Sequence, residues 1–276
     1  MDAGPDVSGL LAVRLREMWS ALVGVEADAL LPCVSTSAAL QLVTQACLLP
    51  GDTVRLARPG QLSWSAAVLA AGAAYVDVGR VVKGAVDPAT AVAAPPGRLA
   101  ILGAPAPTGA DDAGEWPPAA DELRLADASL AASLHGYPVA NADLTLLVLR
   151  EPDAPSTSLL CALCGPVVDV QALSSLAGPA LLPLPLIRAA LAALQRMDHH
   201  AEAVFQGYLK TRSQRLIDAL SLGPGQRWLP RAGVSHGVQC LAADGASVAA
   251  AARKLGYRAE AWSAFPGGGL VRIDLR

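Results

Sequence analysis

The feature that most constrains this chain is an alternation of short apolar runs with helical stretches between residues 53 and 150. The run "TVRLARP" is typical of a strand, "SWSAAVLAAGA" of a helix and "AYVDVG" of a second strand. Three later runs continue the series as strands: "RLAILG", "ELRLAD" and "DLTLLVLR". Because parallel strands need a long connection, which a helix supplies, this order predicts an α/β chain with a mostly parallel sheet and right-handed crossovers.

The pattern changes after residue 166. Two helical stretches follow, and the second, from "LPLIRAAL" to "QRLIDAL", is too long for one ordinary helix without a break. The tail then has a strand–helix–strand pattern that ends in "GLVRIDLR". We therefore predict an N-terminal segment (1–20), a large α/β domain (21–190), and a long helix with a small C-terminal α+β domain (191–276).

Composition excludes several classes of function. The chain has 276 residues, of which 53% are hydrophobic and 16% are charged, and its net charge is -3. It therefore lacks the basic surface that nucleic-acid binding requires. We find no uninterrupted apolar segment of about 18 residues, and the acidic start "MDAGPDVSGL" does not resemble a secretory signal. We expect a cytoplasmic protein that binds a small molecule.

The five cysteines do not form an obvious functional motif. Their odd number, in a chain with a large core, indicates reduced thiols rather than a disulfide framework. Cys161 and Cys164 have C-x-x-C spacing, but one such pair supplies half a zinc site and its neighbours are apolar. We expect both thiols to be buried small side chains, and we predict no metal site.

Several motifs in order carry a resemblance to a known family. They are "VSTSAAL" followed by a "PGD" turn, the strand and helix after it, the turn "GAPAPTG", and the closing strand "VRIDL". From about residue 20 onward the chain resembles the fold-type I pyridoxal phosphate (PLP) enzymes. It is most similar to small class I/II aminotransferases such as histidinol-phosphate aminotransferase and threonine-phosphate decarboxylase. The resemblance implies an aminotransferase-like large domain with a mostly parallel sheet and a small C-terminal α+β domain.

The resemblance implies a helix N-terminus that binds an anion and an aspartate that contacts the pyridine nitrogen of PLP. Family members hold PLP with a Schiff-base lysine, an aspartate at the pyridine nitrogen and phosphate donors at a helix N-terminus. Asp127 stands at the position of the aspartate, which makes it a catalytic candidate. The cluster Ser35, Thr36 and Ser37 is a natural N-cap and also suits an anion.

Substrate contacts are implied at three further positions. Arg272 in "VRIDL" stands where the family's arginine clamps the substrate carboxylate. Thr108 belongs to the preserved turn "GAPAPTG", and Trp64 is an aromatic side chain that can stack on a ligand.

The lysine is missing from the stretch "VLREPDAPSTSLLCALCG". The family's lysine position falls on Arg150, Glu151 or one of residues 152–154, and none of these forms an imine at neutral pH. The chain has three lysines, which the resemblance places outside the site: Lys83, Lys210 and Lys254.

Other cofactor contacts are replaced as well. The family has an asparagine, a tyrosine and a first aromatic residue at positions that are here Ala106, Leu130 and Gln61. The position of the family's downstream arginine falls on apolar residues, around Leu159 to Ala162. We therefore expect no PLP in the conventional Schiff-base form.

Histidines are the remaining candidates for proton transfer near neutral pH. His135 closely follows Asp127, and His236 lies near the strand where the family contacts substrate, so both are catalytic candidates. His199 and His200 point about 100° apart on a helix and are better explained as a solvated helix face.

Alternative functions remain open. In the first, the chain is a diverged aminotransferase-fold enzyme of amino-acid-related or biosynthetic metabolism, acting without Schiff-base PLP on an anionic, amino-acid-like substrate. In the second, it is a non-catalytic homologue that serves as a partner subunit or metabolite-binding protein. Noncovalent PLP binding is a further alternative. Because the family commonly builds its site at a dimer interface, we expect a homodimer or a heterodimer with an aminotransferase homologue.

Overall fold

The structure is a computed structural model. It describes residues 7–57, 62–78, 81–82, 85–86, 95–103, 121–129, 142–152, 154–177, 182–197, 199–224, 226–228, 237–262 and 269–275.

Helices and strands alternate through the first two thirds of the described chain. The helices are α1 (Val7–Val23), α2 (Thr36–Cys47), α3 (Leu62–Ala70), α4 (Val167–Ala177), α5 (Leu184–Arg196), α6 (His199–Ala219) and α7 (Gly245–Lys254), with a 3-10 turn at Ala27–Ala29. The strands are β1 (Leu30–Cys33), β2 (Thr53–Ala57), β3 (Ala74–Val78), β4 (Val81–Val82), β5 (Ala85–Val86), β6 (Leu99–Gly103), β7 (Leu123–Asp127), β8 (Leu144–Glu151), β9 (Ala154–Cys164), β10 (Arg227–Trp228), β11 (Gly237–Ala242), β12 (Arg258–Trp262) and β13 (Gly269–Asp274).

A seven-stranded sheet organises the larger part of the molecule, and its strand order is β1-β9-β8-β7-β6-β2-β3. The neighbours from β8 to β3 are parallel, whereas β9 pairs antiparallel with both β8 and β1. This confirms the predicted α/β class and the mostly parallel sheet. The parallel strands β6 and β8 read as continuous apolar runs because both of their faces are buried.

Different helices cover the two faces of this sheet. On the first face, α2, α3 and α4 contribute to a core that includes Leu40, Val68 and Leu125. On the second face, α1 and α5 contribute to a core that includes Trp19 and Leu147. Because side chains alternate along a strand, residues two apart share a face.

The two cysteines of the C-x-x-C pair lie on opposite faces of the sheet. Cys161 belongs to the core of the first face and Cys164 to that of the second, because the two lie three positions apart on β9. Both are buried, as predicted. The pair therefore cannot supply two ligands to one metal ion, and no cluster of metal-binding side chains occurs in the described part of the chain.

A buried ion pair links strands at the amino ends of the parallel sheet. Arg55 on β2 donates from Nε to Glu122 at 2.5 Å, and its second guanidinium nitrogen also donates to that carboxylate. Glu122 accepts a further hydrogen bond from the backbone N–H of Gly97 at 3.2 Å. These contacts join the segments before β6 and β7 to β2, away from the carboxyl ends of the strands.

A second, antiparallel sheet forms near the C-terminus, in the order β10-β11-β13-β12. It packs with α6 and α7 around a core that includes Leu209, Val248 and Ile273. The long helical tract has a break between α5 and α6, as predicted. The division at residues 1–20, 21–190 and 191–276 stays a prediction. None of the helices in the described ranges is both long enough and apolar enough to span a membrane.

Candidate active site

Asp127 lies where the parallel strands end. It is the last residue of β7, and it stands beside Gly103 of β6 and Leu146 of β8. Open α/β sheets build their sites at the carboxyl ends of such strands. Asp127 follows Leu125 by two residues, so its side chain lies on the first face of the sheet. Only 3% of the residue is exposed.

Trp64 donates directly to the Asp127 carboxylate. The indole nitrogen lies 2.6 Å from one carboxylate oxygen, and the backbone N–H of Ser129 donates to the other at 2.9 Å. Trp64 belongs to α3, which packs on the first face, and only 1% of it is exposed. A buried carboxylate needs such donors because burial removes its hydration. Asp127 and Trp64 therefore form a buried pair.

Arg150 is a buried cation close to this pair. It lies near the end of β8 with 6% exposure and donates to the Ser129 carbonyl at 2.7 Å and to the Ser158 hydroxyl at 3.0 Å. Ser129 thus contacts both Asp127 and Arg150 through its backbone. No sequence pattern indicated a role for Ser129, and Arg150 stood out only as one of the positions where the resemblance expects a lysine. A charged residue at the end of the apolar run "LTLLVL" indicated that an internal partner was needed.

The connection after Arg150 is a tight hairpin. Strand β8 pairs antiparallel with β9 up to Glu151, which stands opposite Ala154, so Pro152 and Asp153 alone connect the strands. The register shifts on both sides of Arg150. The sequence contains no lysine from residue 84 to residue 209. Lys210 and Lys254 are exposed on α6 and α7, and Lys83 lies outside the described residues.

Known structures share this architecture. A tetra mutant of Thermus thermophilus aspartate aminotransferase matches with a TM-score of 0.71 and 22% identity, over 96% of this chain and 80% of that one. N-succinyldiaminopimelate aminotransferase from Mycobacterium tuberculosis matches with a TM-score of 0.73 and 22% identity, over 96% of this chain and 78% of that one. YbdL from Escherichia coli matches with a TM-score of 0.72 and 16% identity, over 96% of this chain and 78% of that one. The description of that structure identifies a methionine aminotransferase function for YbdL.

The chain has the aminotransferase fold. At these identities the likeness establishes the fold alone. No protein-family profile and no curated protein sequence matches the chain. The more specific resemblance to histidinol-phosphate aminotransferase and threonine-phosphate decarboxylase stays a prediction.

In this aminotransferase fold the serine cluster begins α2. The hydroxyl oxygen of Ser35 accepts a hydrogen bond from the Ala38 N–H at 3.2 Å, which confirms the predicted N-cap. Ser35 and Ser37 are exposed and Thr36 is half-buried. Anion binding by this cluster stays a prediction.

The other predicted contacts are only partly described. The backbone of Arg272 lies on β13, between Gln239 of β11 and Glu260 of β12, and its side chain is outside the described part. Three further candidates lie entirely outside the described residues: Thr108, His135 and His236. Their roles stay predictions.

The charge of Asp127 influences a neighbouring thiol. The pKa of Cys161 is raised by its hydrogen bond with Cys33, by burial and by the negative charge of Asp127. The two cysteines stand directly opposite each other on β9 and β1. Cys161 is therefore held as a thiol and is a poor nucleophile.

The described residues do not fit PLP as aminotransferases hold it. A pyridinium needs an accessible carboxylate, whereas the Asp127 carboxylate is buried and already accepts from the Trp64 indole. The hairpin after Arg150 contains no primary amine that could form a Schiff base.

Proposed function

We propose that this chain is an aminotransferase-fold protein of amino-acid-related metabolism that works without Schiff-base PLP. The observation that carries the proposal is the β8–β9 hairpin: Glu151 pairs with Ala154 where the resemblance expects the lysine loop. A two-residue connection has no room for that loop, and the region has no lysine. The fold is kept, and the covalent anchor of its usual coenzyme is not.

The proposed substrate is an anionic, amino-acid-like metabolite. Arg272 would bind its carboxylate in the bidentate manner that guanidinium favours, and the exposed start of α2 at Ser35–Ser37 would bind a second anionic group. Thr108 is a further substrate-contact candidate, whereas Trp64 would have to leave its buried position beside Asp127 to contact a substrate. In the catalytic version of this proposal, Asp127 holds negative charge at the strand ends, and His135 and His236 transfer protons.

Borohydride reduction in the presence of PLP tests the proposal. Borohydride reduces an imine to a stable secondary amine, so any Schiff base becomes a permanent phosphopyridoxyl group on the chain. We expect peptide mapping to find no site-specific modification, while a conventional aminotransferase treated in parallel is modified at its lysine. Stoichiometric modification of one side chain of this protein would overturn the proposal.

A second candidate function is that of a non-catalytic partner subunit. It is favoured by a groove of about 640 Å³ between α1, β1, α2 and α4, lined by Val13, Val34 and Leu176 among others. These three side chains are 44%, 46% and 66% exposed. Contiguous exposed apolar surface of this kind is typical of protein–protein interfaces. We propose that this groove forms a dimer contact, with a second copy or with an aminotransferase homologue.

Reconstitution distinguishes the two candidates. The isolated chain and the chain co-expressed with a lysine-bearing aminotransferase homologue are assayed against a panel of amino acids and amino-acid phosphates. Turnover by the isolated chain supports the enzyme, whereas activity only in a co-purifying heteromer supports the partner subunit.

A further inference from the structure

We propose that Trp64 closes the pyridine site from within, by giving Asp127 the N–H donor that a bound pyridinium would otherwise supply. This inference rests on the proposed function, which excludes only a covalent link between PLP and the chain. It predicts that the chain also excludes the coenzyme as a noncovalent ligand.

Both oxygens of the Asp127 carboxylate already accept hydrogen bonds. The indole N–H of Trp64 donates at 2.6 Å and the Ser129 N–H at 2.9 Å, one to each carboxylate oxygen. An indole nitrogen is only a donor, and here its N–H points at the carboxylate, which is only an acceptor when ionised. It has the same role toward the carboxylate that a protonated pyridine nitrogen would have.

Trp64 also fills the space next to the Asp127 carboxylate. Trp64 and Asp127 are 1% and 3% exposed, so the carboxylate is not open to solvent. The indole also packs in the core of the first face, together with Leu40, Val68 and Leu125. A pyridine ring could reach Asp127 only if Trp64 left this packed position, which would leave a cavity.

The test compares ligand binding by the wild type with that by Trp64→Phe. The probe is pyridoxamine 5′-phosphate, which has no aldehyde and cannot form a Schiff base with any lysine. Calorimetric titration of the wild type is expected to show no saturable binding. Trp64→Phe removes the donor and makes room, so we expect saturable binding that is at least about 10-fold tighter than the weakest binding the titration detects, the size of effect that one hydrogen bond to a charged group allows.

Two further variants control for nonspecific loosening of the core. Trp19→Phe removes another fully buried indole, which lies on the second face and has no hydrogen-bond partner for its N–H among the described residues. It should show no saturable binding, like the wild type. Adding Asp127→Asn to Trp64→Phe should abolish the gain, because the amide has no negative charge for a pyridinium.

Saturable binding by the wild type, or a folded Trp64→Phe that binds no more tightly, would overturn the inference. If Trp64→Phe does not fold, the ¹⁵N-labelled wild type gives the answer. The Trp64 indole N–H signal should exchange slowly and stay unchanged as the probe is added, and a saturable shift of that signal would refute the inference. Binding of the probe by the wild type contradicts only this inference, whereas a borohydride-fixed PLP group contradicts the proposed function.

Discussion

At the scale of single residues, the chemistry at the strand ends depends on contacts between residues far apart in the chain. Asp127 and Trp64 are 63 positions apart, and Arg150 reaches Ser129 across 21. The apolar run "ELRLAD" placed Asp127 at the end of a strand, and local pattern identified the Ser35 cap. Neither could show that the indole reaches the carboxylate, because that contact depends on how α3 docks on the sheet.

The buried guanidinium of Arg150 should stabilise the folded state. Arg150→Met removes the donors to the Ser129 carbonyl and the Ser158 hydroxyl, so we expect the free energy of unfolding to fall by about 2 kcal/mol in denaturant titration. Arg196→Met is the matched control, because the Arg196 pair with Glu151 is half exposed and should be worth less than about 1 kcal/mol. Equal losses in the two variants would contradict this assignment.

Burial should protect most of the thiols from alkylation. It raises the pKa of Cys164 and of Cys240 to about 11, so both stay protonated near neutral pH. Cys33 and Cys161 are also buried. Burial raises the pKa of Cys47 as well, but its side chain is only half-buried, so exposure makes it the first to react with iodoacetamide. Mass mapping of the native protein should find Cys47 labelled before the four buried thiols. Labelling of Cys164 before Cys47 would contradict this prediction.

The raised thiol pKa values also predict an alkaline loss of stability. Their ordinary value is 9.0, so the unfolded chain loses these protons at lower pH than the folded chain does. Their contribution to stability is fully present below about pH 9 and is lost as the pH rises through about 11. Cys240→Ala should reduce this loss in unfolding titrations above pH 9, and an unchanged pH dependence would contradict the assignment.

At the scale of elements, sequence pattern predicted the strands that are buried on both faces. β2, β6, β7 and β8 appear as apolar runs because the parallel sheet is covered on both sides. The sequence analysis did not predict strand β9, because its first half, "APSTS", is polar and its pairing with β8 and β1 is antiparallel. The β8–β9 hairpin was therefore visible only in the structure.

The turn between β9 and α4 should not tolerate a side chain. A Cβ on Gly165 would lie 2.5 Å from the backbone oxygen of Asp143, so Gly165→Ala should lower the free energy of unfolding by about 1 to 3 kcal/mol. Gly207→Ala is the matched control in α6, where a Cβ meets nothing within 4 Å. That variant should be more stable than the wild type by up to about 1 kcal/mol, and the opposite order would contradict the geometry.

At the scale of the whole molecule, the proposed dimer contact at the apolar groove can be tested through the mass of the protein in solution. A charge at Val34 would be buried in the proposed dimer contact, so Val34→Glu should shift the mass measured by light scattering from dimer to monomer. Leu255→Glu changes an exposed apolar residue after α7 and should leave the mass unchanged. A wild type that is monomeric at all concentrations would contradict the proposed contact.

The whole molecule combines the aminotransferase fold with a buried Trp64–Asp127 pair at the strand ends and a β8–β9 hairpin that contains no lysine. A native mass spectrum of the protein purified from PLP-replete cells tests this account most directly. We predict the mass of the unmodified polypeptide, alone or with a dissociable metabolite other than PLP. A species heavier by one PLP, whether bound covalently or not, would contradict it.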